Sequence, residues 1–143
     1  MRKSGAALRR HGSKPIMIAQ ILVADDDPAI TSLIAERLTH KKHKIIAAKD
    51  GFELVQKASQ YCPHLIIADI MMPGAYGSSV YHILQKDHKT SAIPILFMSA
   101  HSYQSLKKIL PDDPKTRFIQ KPLSFAKMDE LIFELLPLGG YVP

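Results

Sequence analysis

The stretch ILVADDDPAI, residues 21–30, places three consecutive aspartates directly after four apolar residues. The apolar run is typical of a buried strand. Asp27 followed by Pro28 predicts a helix start, because the Asp side chain can accept an unpaired backbone N–H and Pro loses no hydrogen bond at the first helical position. Asp25 and Asp26 have no role in that turn, so the rest of the chain has to account for them.

Strand-like and helix-like segments alternate five times along the chain. The strands are nearly continuous apolar runs, whereas apolar residues in the helices recur at helical spacing. The predicted strands are residues 20–24, 44–48, 65–69, 94–99 and 117–120, and the predicted helices are residues 28–38, 51–59, 78–86, 102–110 and 124–136. This alternation predicts an α/β fold, a doubly wound parallel sheet with helices on both faces.

Composition limits the class of protein. A chain of 143 residues fits one domain, and 46% hydrophobic with 22% charged residues is ordinary for a globular protein. No apolar run approaches the roughly 20 residues that a membrane-spanning helix needs. The single cysteine, Cys62, cannot form an internal disulfide, so we expect a reducing compartment and a cytoplasmic protein.

The basic charge is concentrated at the start of the chain. Residues 1–19 hold five of the 19 Lys and Arg residues and no acidic ones, which leaves 14 basic against 13 acidic residues for the rest. We therefore expect no direct nucleic-acid binding. Residues 1–16 are predicted to be a disordered basic extension or, alternatively, a targeting segment. The domain is expected over residues 17–138, with a short tail at residues 139–143.

Polar side chains follow four of the predicted strands. Asp25 and Asp26 follow the first strand, Asp69 and Ser99 end the third and fourth, and Lys121 follows the fifth. In parallel sheets these ends meet at one edge, where ligands bind. Three clustered carboxylates repel one another unless a cation compensates, and oxygen ligands favour Mg²⁺ or Mn²⁺. A nearby lysine and hydroxyl suit phosphoryl oxygens, which indicates phosphoryl chemistry.

Four motifs, ILVADDDP, LIIADIMMPG, PILFMSA and FIQKP, occur in this order, with intervals of 43, 30 and 22 residues from Asp26 to Asp69, Ser99 and Lys121. In this pattern the chain resembles the receiver domain of two-component response regulators, from residue 20 to about residue 137. The resemblance implies a flavodoxin-like, five-stranded sheet of order 2-1-3-4-5. It also implies a signalling switch that catalyses its own phosphorylation and dephosphorylation.

The resemblance assigns roles to the acidic residues. Asp69 is implied to be the phosphorylated residue. Asp26, Asp69 and the backbone carbonyl of Met71 are implied to hold Mg²⁺, with Mn²⁺ as a substitute, and Asp25 to act through a coordinated water. Met71 and His101 are implied to flank the path by which water reaches the phosphoryl group.

The remaining site residues are implied to act on the phosphoryl group and in the switch. Lys121 pairs with one phosphoryl oxygen and Ser99 donates its hydroxyl to another. Ser99 then moves inward and Phe118 turns into the vacated space. The peptide bond between Lys121 and Pro122 is implied to be cis.

The resemblance also implies partners. The phosphoryl donor would be a phosphohistidine on a sensor histidine kinase or a phosphotransfer protein, and a downstream protein would bind the face of helix 4, strand 5 and helix 5. No helix-turn-helix or catalytic segment follows Leu136. A stand-alone receiver is therefore expected, unless the chain is excised from a larger protein. Departures from the family pattern occur at Ala75 and Tyr76 and in LPDDPKTRF, residues 110–118.

Other functions remain as alternatives. A receiver-like interaction module could act without phosphorylation, although a pure scaffold has no need for the acidic pair, Asp69 and Lys121 together. A phosphatase of the haloacid dehalogenase type requires an acid two residues after its nucleophile, where Met71 stands. Dinucleotide binding lacks its Gly-rich turn after the first strand. Taken alone, Asp25 and Asp26 would more often be solvated turn residues, and Asp69 alone would more often be a strand terminus or a helix cap.

Overall fold

The computed structural model describes residues 18–72 and 75–142, and the predicted basic extension lies outside the described residues. Its central feature is a parallel sheet of five strands. The strands are β1 (Gln20–Ala24), β2 (Lys44–Ala48), β3 (Leu65–Asp69), β4 (Ile95–Ser99) and β5 (Thr116–Gln120). Their order in the sheet is β2-β1-β3-β4-β5, which confirms the predicted fold class.

Five α-helices connect or follow the strands in the described ranges. They are α1 (Pro28–His40), α2 (Gly51–Tyr61), α3 (Gly77–Lys86), α4 (Tyr103–Leu106) and α5 (Phe125–Leu135), and a 3₁₀ helix (Leu136–Gly139) follows α5. The predicted N-cap of α1 is confirmed, because the Asp27 side chain accepts the N–H of Ala29. Asp50, Ser102 and Ser124 cap α2, α4 and α5 in the same manner.

The sheet separates two hydrophobic clusters. Ile21 and Val23 of β1 contact the cluster that includes α1 and α5, whereas Leu22 and Ala24 contact the cluster that includes α2, α3 and α4. Alternate residues of a strand point to opposite faces, and here both faces are covered. This double burial explains why the strands are continuous apolar runs rather than alternating ones.

Helix α4 is shorter than the sequence predicts. The α-helix spans only Tyr103–Leu106, and the N–H groups of Ile109 and Leu110 both donate to the carbonyl of Leu106, so the chain continues as a tight turn. Leu106 is buried, whereas residues 107–109 are exposed. Pro111 has no N–H to continue the helix. With one buried anchor, burial stabilises too little of this segment to extend the helix.

The C-terminal residues lie against the amino ends of the strands, opposite the carboxyl ends. A Cβ atom added at Gly139 would lie 2.4 Å from Pro94 Cδ, so the backbone is in close contact there. The Tyr141 hydroxyl accepts the N–H of Ile18 at 2.8 Å and donates to the Ile18 carbonyl. Gly139 and Tyr141 of the predicted tail therefore contact the body of the domain.

Between β3 and α3, Met71–Met72 pairs antiparallel with Ala75–Tyr76 in a two-stranded ladder, which lies beside the carboxyl end of β3. Among the described helices, none combines the length and hydropathy required to span a membrane.

Candidate phosphoacceptor and metal site

The carboxyl ends of four strands bring the predicted polar residues together. Asp25 and Asp26 follow β1, Asp69 and Ser99 end β3 and β4, and Lys121 follows β5. Asp25, Asp69 and Ser99 are only 2%, 7% and 1% exposed, whereas Asp26 is exposed to solvent. Strands β2 and β3 flank β1 on opposite sides, so the cluster lies where the strand order reverses, the usual ligand position in such sheets.

The same local turn follows β1, β3 and β4. In each case the polar side chain accepts the backbone N–H of the residue two positions later, as Asp and Ser side chains commonly do in turns. These contacts are Asp27 N–H to Asp25 Oδ1 at 2.9 Å, Met71 N–H to Asp69 Oδ1 at 2.8 Å, and His101 N–H to Ser99 Oγ at 3.0 Å. The turns fix the direction of each side chain and leave the Oδ2 atoms of both aspartates for other partners.

Lys121 connects the two buried carboxylates. Its Nζ atom lies 2.8 Å from Asp25 Oδ2 and 2.7 Å from Asp69 Oδ2. Its backbone N–H donates to the Ser99 carbonyl at 2.8 Å, and the Lys121–Pro122 peptide bond is cis. One side chain thus joins the end of β5 to the ends of β1 and β3.

The charge of Lys121 is maintained by its partners. Burial alone lowers the pKa of an ammonium group, but the hydrogen bonds that Lys121 donates to Asp25 and Asp69 outweigh that effect and raise the pKa of Lys121 above its ordinary value. The lysine is therefore a cation at neutral pH. Its single positive charge stands against the three carboxylates of the cluster, which leaves a local excess of negative charge.

That excess and the donor atoms fit a hard divalent cation. Carboxylate oxygens of Asp25, Asp26 and Asp69 lie within 4.8 Å of one another. Oxygen ligands of this kind suit Mg²⁺, which usually keeps several waters and is held by one or two carboxylates. The cluster is consistent with Mg²⁺ binding and with an aspartate phosphorylation site. Met71, the fourth predicted ligand, begins the short strand beside this cluster.

Phe118, the predicted switch residue, lies on β5 and is partly buried against the cluster that contains Phe97. Its ring centroid lies 6.1 Å from that of Tyr103. A groove of about 690 Å³ opens beside these rings and is lined by residues of α4, β5 and the loop between them. The groove lies on part of the face where a downstream partner was predicted.

A network that sequence reasoning missed borders this groove. The Tyr81 hydroxyl on α3 donates to Asp113 Oδ2 at 2.6 Å, and Lys115 Nζ lies 3.0 Å from the same carboxylate oxygen. Burial, followed by the hydrogen bond to Asp113, raises the pKa of Tyr81 to about 12. The loop between α4 and β5, which departs from the family pattern, is thereby attached to α3. Two adjacent aspartates between prolines, at residues 111–114, were the available signal of a specific turn.

Comparison with known proteins agrees with this geometry. A family model described as the response regulator receiver domain matches residues 21–133. The chain is 31% identical over 124 residues to the DNA-binding dual master transcriptional regulator RpaA of Synechocystis, an alignment that covers 87% of this chain and 52% of that protein. It is also 32% identical over 90 residues to the protein PilH of Pseudomonas aeruginosa, covering 63% and 74% of the two chains.

Solved structures give the same result. The response regulator TrrA of Thermotoga maritima in complex with Mg²⁺ and BeF is 31% identical, with a TM-score of 0.69 and coverage of 83% of this chain and 99% of that chain. The chemotaxis response regulator CheY4 of Vibrio cholerae shares the fold, with a TM-score of 0.72 and 21% identity over 83% and 99% of the chains. The chain belongs to the response regulator receiver domain family.

The match covers only part of several relatives. The chain spans about half the length of RpaA and of the response regulator RR06 of Streptococcus pneumoniae, and 8% of the hybrid signal transduction histidine kinase D of Dictyostelium discoideum. The receiver is therefore the part that these proteins share with this chain.

Proposed function

We propose that the receiver, over residues 17–138, accepts a phosphoryl group on Asp69 from a phosphohistidine of a sensor histidine kinase or phosphotransfer protein. The bond between phosphorus and the imidazole nitrogen breaks, a bond to an Asp69 oxygen forms, and the donor histidine keeps the electron pair. The observation that carries the proposal is the Lys121 ammonium, which contacts both buried carboxylates, Asp25 and Asp69. A scaffold without phosphoryl chemistry has no need for this arrangement.

The hydrogen bonds of Asp69 distinguish its two oxygens. Oδ1 accepts the Met71 N–H, and Oδ2 is held only by the Lys121 ammonium among the contacts of the described residues. Oδ2 is therefore the oxygen we assign as nucleophile. Lys121 then stabilises the negative charge on a phosphoryl oxygen, because a fixed cation in a partly buried site needs little reorganisation.

Ser99 is placed to act on a second phosphoryl oxygen. Its Oγ accepts the N–H of His101, so the hydroxyl hydrogen remains available for donation. Movement of Ser99 toward the phosphorylated Asp69 would leave space beside β4 and β5, into which Phe118 turns. The downstream partner would then contact α4, β5 and α5, where the groove beside Phe118 lies.

The acidic cluster would hold the metal. Asp26, Asp69 and the Met71 carbonyl are the proposed direct ligands, and Asp25, which is buried, acts through a coordinated water. Mg²⁺ bound there supplies positive charge that draws the donor phosphate to Asp69, and Mn²⁺ can substitute for it. The proposal assigns the domain to the cytoplasm, since the single cysteine offers no internal disulfide. Direct nucleic-acid binding forms no part of it.

The test is phosphoryl transfer with labelled acetyl phosphate, and then with phosphorylated histidine kinases, in the presence of Mg²⁺. We expect stoichiometric acid-stable but base-labile label on the wild type, and none on Asp69→Asn or in EDTA. Asp27→Asn is the matched control, because Asp27 lies beside the cluster and serves as helix cap. Label that persists on Asp69→Asn contradicts the site assignment. A folded wild type that no donor labels favours the alternative, an interaction module that acts without phosphorylation.

A further inference from the structure

Two histidines lie at the amino ends of the parallel strands, opposite the phosphoacceptor. His43 directly precedes β2 and His64 directly precedes β3, the two neighbours of β1. The Nδ1 atom of His43 accepts the backbone N–H of Ala19 at 3.0 Å, and Nδ1 of His64 accepts the N–H of Gln20 at 2.9 Å. Consecutive amides at the start of β1 are thus satisfied by imidazoles rather than by carbonyls.

Each imidazole extends the hydrogen-bond ladder of β1. The Ala19 carbonyl accepts the N–H of Lys44, and the Gln20 carbonyl accepts the N–H of His64, both at 2.9 Å. The side chains therefore complete pairs that the backbone begins. An imidazole nitrogen accepts a hydrogen bond only when it carries no proton, so the geometry assigns both rings as neutral with hydrogen on Nε2.

The two sites differ in burial. His43 is 8% exposed and Ala19 is 2% exposed, whereas His64 is exposed and meets the Tyr141 ring edge to face, with centroids 4.9 Å apart. A ring at His64 can turn into water when its contact breaks. The His43 ring and the Ala19 N–H have no such path, so loss of that contact leaves a buried donor without a partner, which is unfavourable.

The charges that face His43 come from two helices. Asp129 on α5 favours the protonated imidazole, and Lys41 at the end of α1 opposes it. Asp129 is shared with Arg37 at 2.8 Å and Lys41 at 3.2 Å, so its charge is already compensated. Burial is the largest influence, and it holds the pKa of His43 below the ordinary value.

We propose that His43 is a pH-operated latch on the start of β1. The neutral ring accepts the Ala19 N–H, whereas the protonated ring presents an N–H to that N–H, so the contact directly before β1 is lost. The depressed pKa means that the unfolded chain binds this proton more readily than the folded one. The stabilisation is therefore complete above the unfolded value of about 6.5 and is lost as the pH falls through the folded value.

The test is amide hydrogen exchange of Ala19 in the full chain between pH 7.5 and 5.5, corrected for intrinsic exchange. We expect its protection factor to fall by about threefold or more in the wild type. In His43→Asn, whose Oδ1 can replace Nδ1 as an acceptor that does not titrate, we expect less than half of that fall. In His64→Asn, Ala19 should behave as in the wild type.

An equal fall in His43→Asn and the wild type overturns the proposal. Should His43→Asn fail to fold, the nitrogen chemical shifts of His43 in the wild type decide the matter. Hydrogen on Nε2 at pH 7.5, with protonation accompanied by loss of Ala19 protection, supports the latch, and hydrogen on Nδ1 rules it out. The outcome is independent of whether Asp69 is phosphorylated.

Discussion

The Nζ atom of Lys121 lies 2.7 Å from Asp69 Oδ2, the oxygen that we propose as nucleophile. The same ammonium lies 2.8 Å from Asp25 Oδ2, whose side chain has no solvent exposure. One ammonium group thus contacts the Oδ2 atoms of two buried carboxylates. The Oδ1 atom of each carboxylate accepts a hydrogen bond from a backbone N–H. Removal of that cation should affect both stability and phosphorylation, and a metal ion should compensate only for the first.

Lys121→Met is predicted to lower the free energy of unfolding by about 3 kcal/mol in metal-free buffer at neutral pH, because it leaves two buried carboxylates without their counter-ion. Urea titration measures the loss. Addition of Mg²⁺ should restore part of the stability but little of the labelling by acetyl phosphate. A variant as stable as the wild type in EDTA would show that the carboxylates do not depend on this lysine.

The strand-end residues were predictable because their signal is local. A buried strand ends where a polar residue follows an apolar run, and parallel strands bring such ends together, so Asp25, Asp69 and Lys121 follow from the chain order. The length of α4 and the Tyr81–Asp113 hydrogen bond were not predictable in this way. The first depends on how much apolar surface the segment buries, and the second joins side chains 32 residues apart whose rotamers the pattern does not specify.

Tyr81→Phe is predicted to destabilise the fold by about 1–2 kcal/mol, because it removes a 2.6 Å hydrogen bond to a carboxylate that remains paired with Lys115. Urea titration of the variant against the wild type measures this. Because that hydrogen bond also helps to lower the pKa of Asp113, the pKa of this carboxyl should rise in the variant, which carboxyl NMR detects. Unchanged stability would mean that water replaces the tyrosine hydroxyl without loss.

The pKa of Tyr81, about 12, has its own consequence for stability. A raised pKa means that the folded state holds the proton more tightly, so the contribution is complete below the unfolded value of about 10 and declines as the pH rises toward the folded value. Absorbance titration of tyrosinate should show a late-titrating component in the wild type that is absent in Tyr81→Phe. A wild type without that late component would contradict the hydrogen bond between Tyr81 and Asp113.

Gly139→Ala is predicted to lower the free energy of unfolding by about 1–3 kcal/mol, because the new Cβ would lie 2.4 Å from Cδ of the rigid Pro94 ring. Thermal unfolding measures the effect. Leu138→Ala is the matched control, since Leu138 precedes Gly139 in the same 3₁₀ helix but is 45% exposed. Equal effects of the two changes would mean that the contact with Pro94 adjusts freely.

Met71→Asn is predicted to shorten the lifetime of the phosphorylated protein. Hydrolysis requires a water in line with phosphorus, and the Met71 side chain, two residues after Asp69 and 42% exposed, has no group that orients water. An Asn amide there can hold that water, and one such hydrogen bond corresponds to roughly a tenfold faster decay. Mg²⁺ affinity should change little, because the proposed ligand is the backbone carbonyl.

The decay is measured after removal of excess donor, with wild type, Met71→Asn and Met71→Leu followed in parallel. Met71→Leu keeps an apolar side chain of similar size, so its phosphoryl group should decay at the rate of the wild type. If the side chain acted only by shielding the phosphoryl group from water, only variants with a smaller side chain would lose it faster. The Met71 N–H to Asp69 Oδ1 contact is made by the backbone and remains in both variants. A difference between them therefore reports on the side chain. Equal decay in all three proteins would mean that Met71 does not control the access of water to the phosphoryl group.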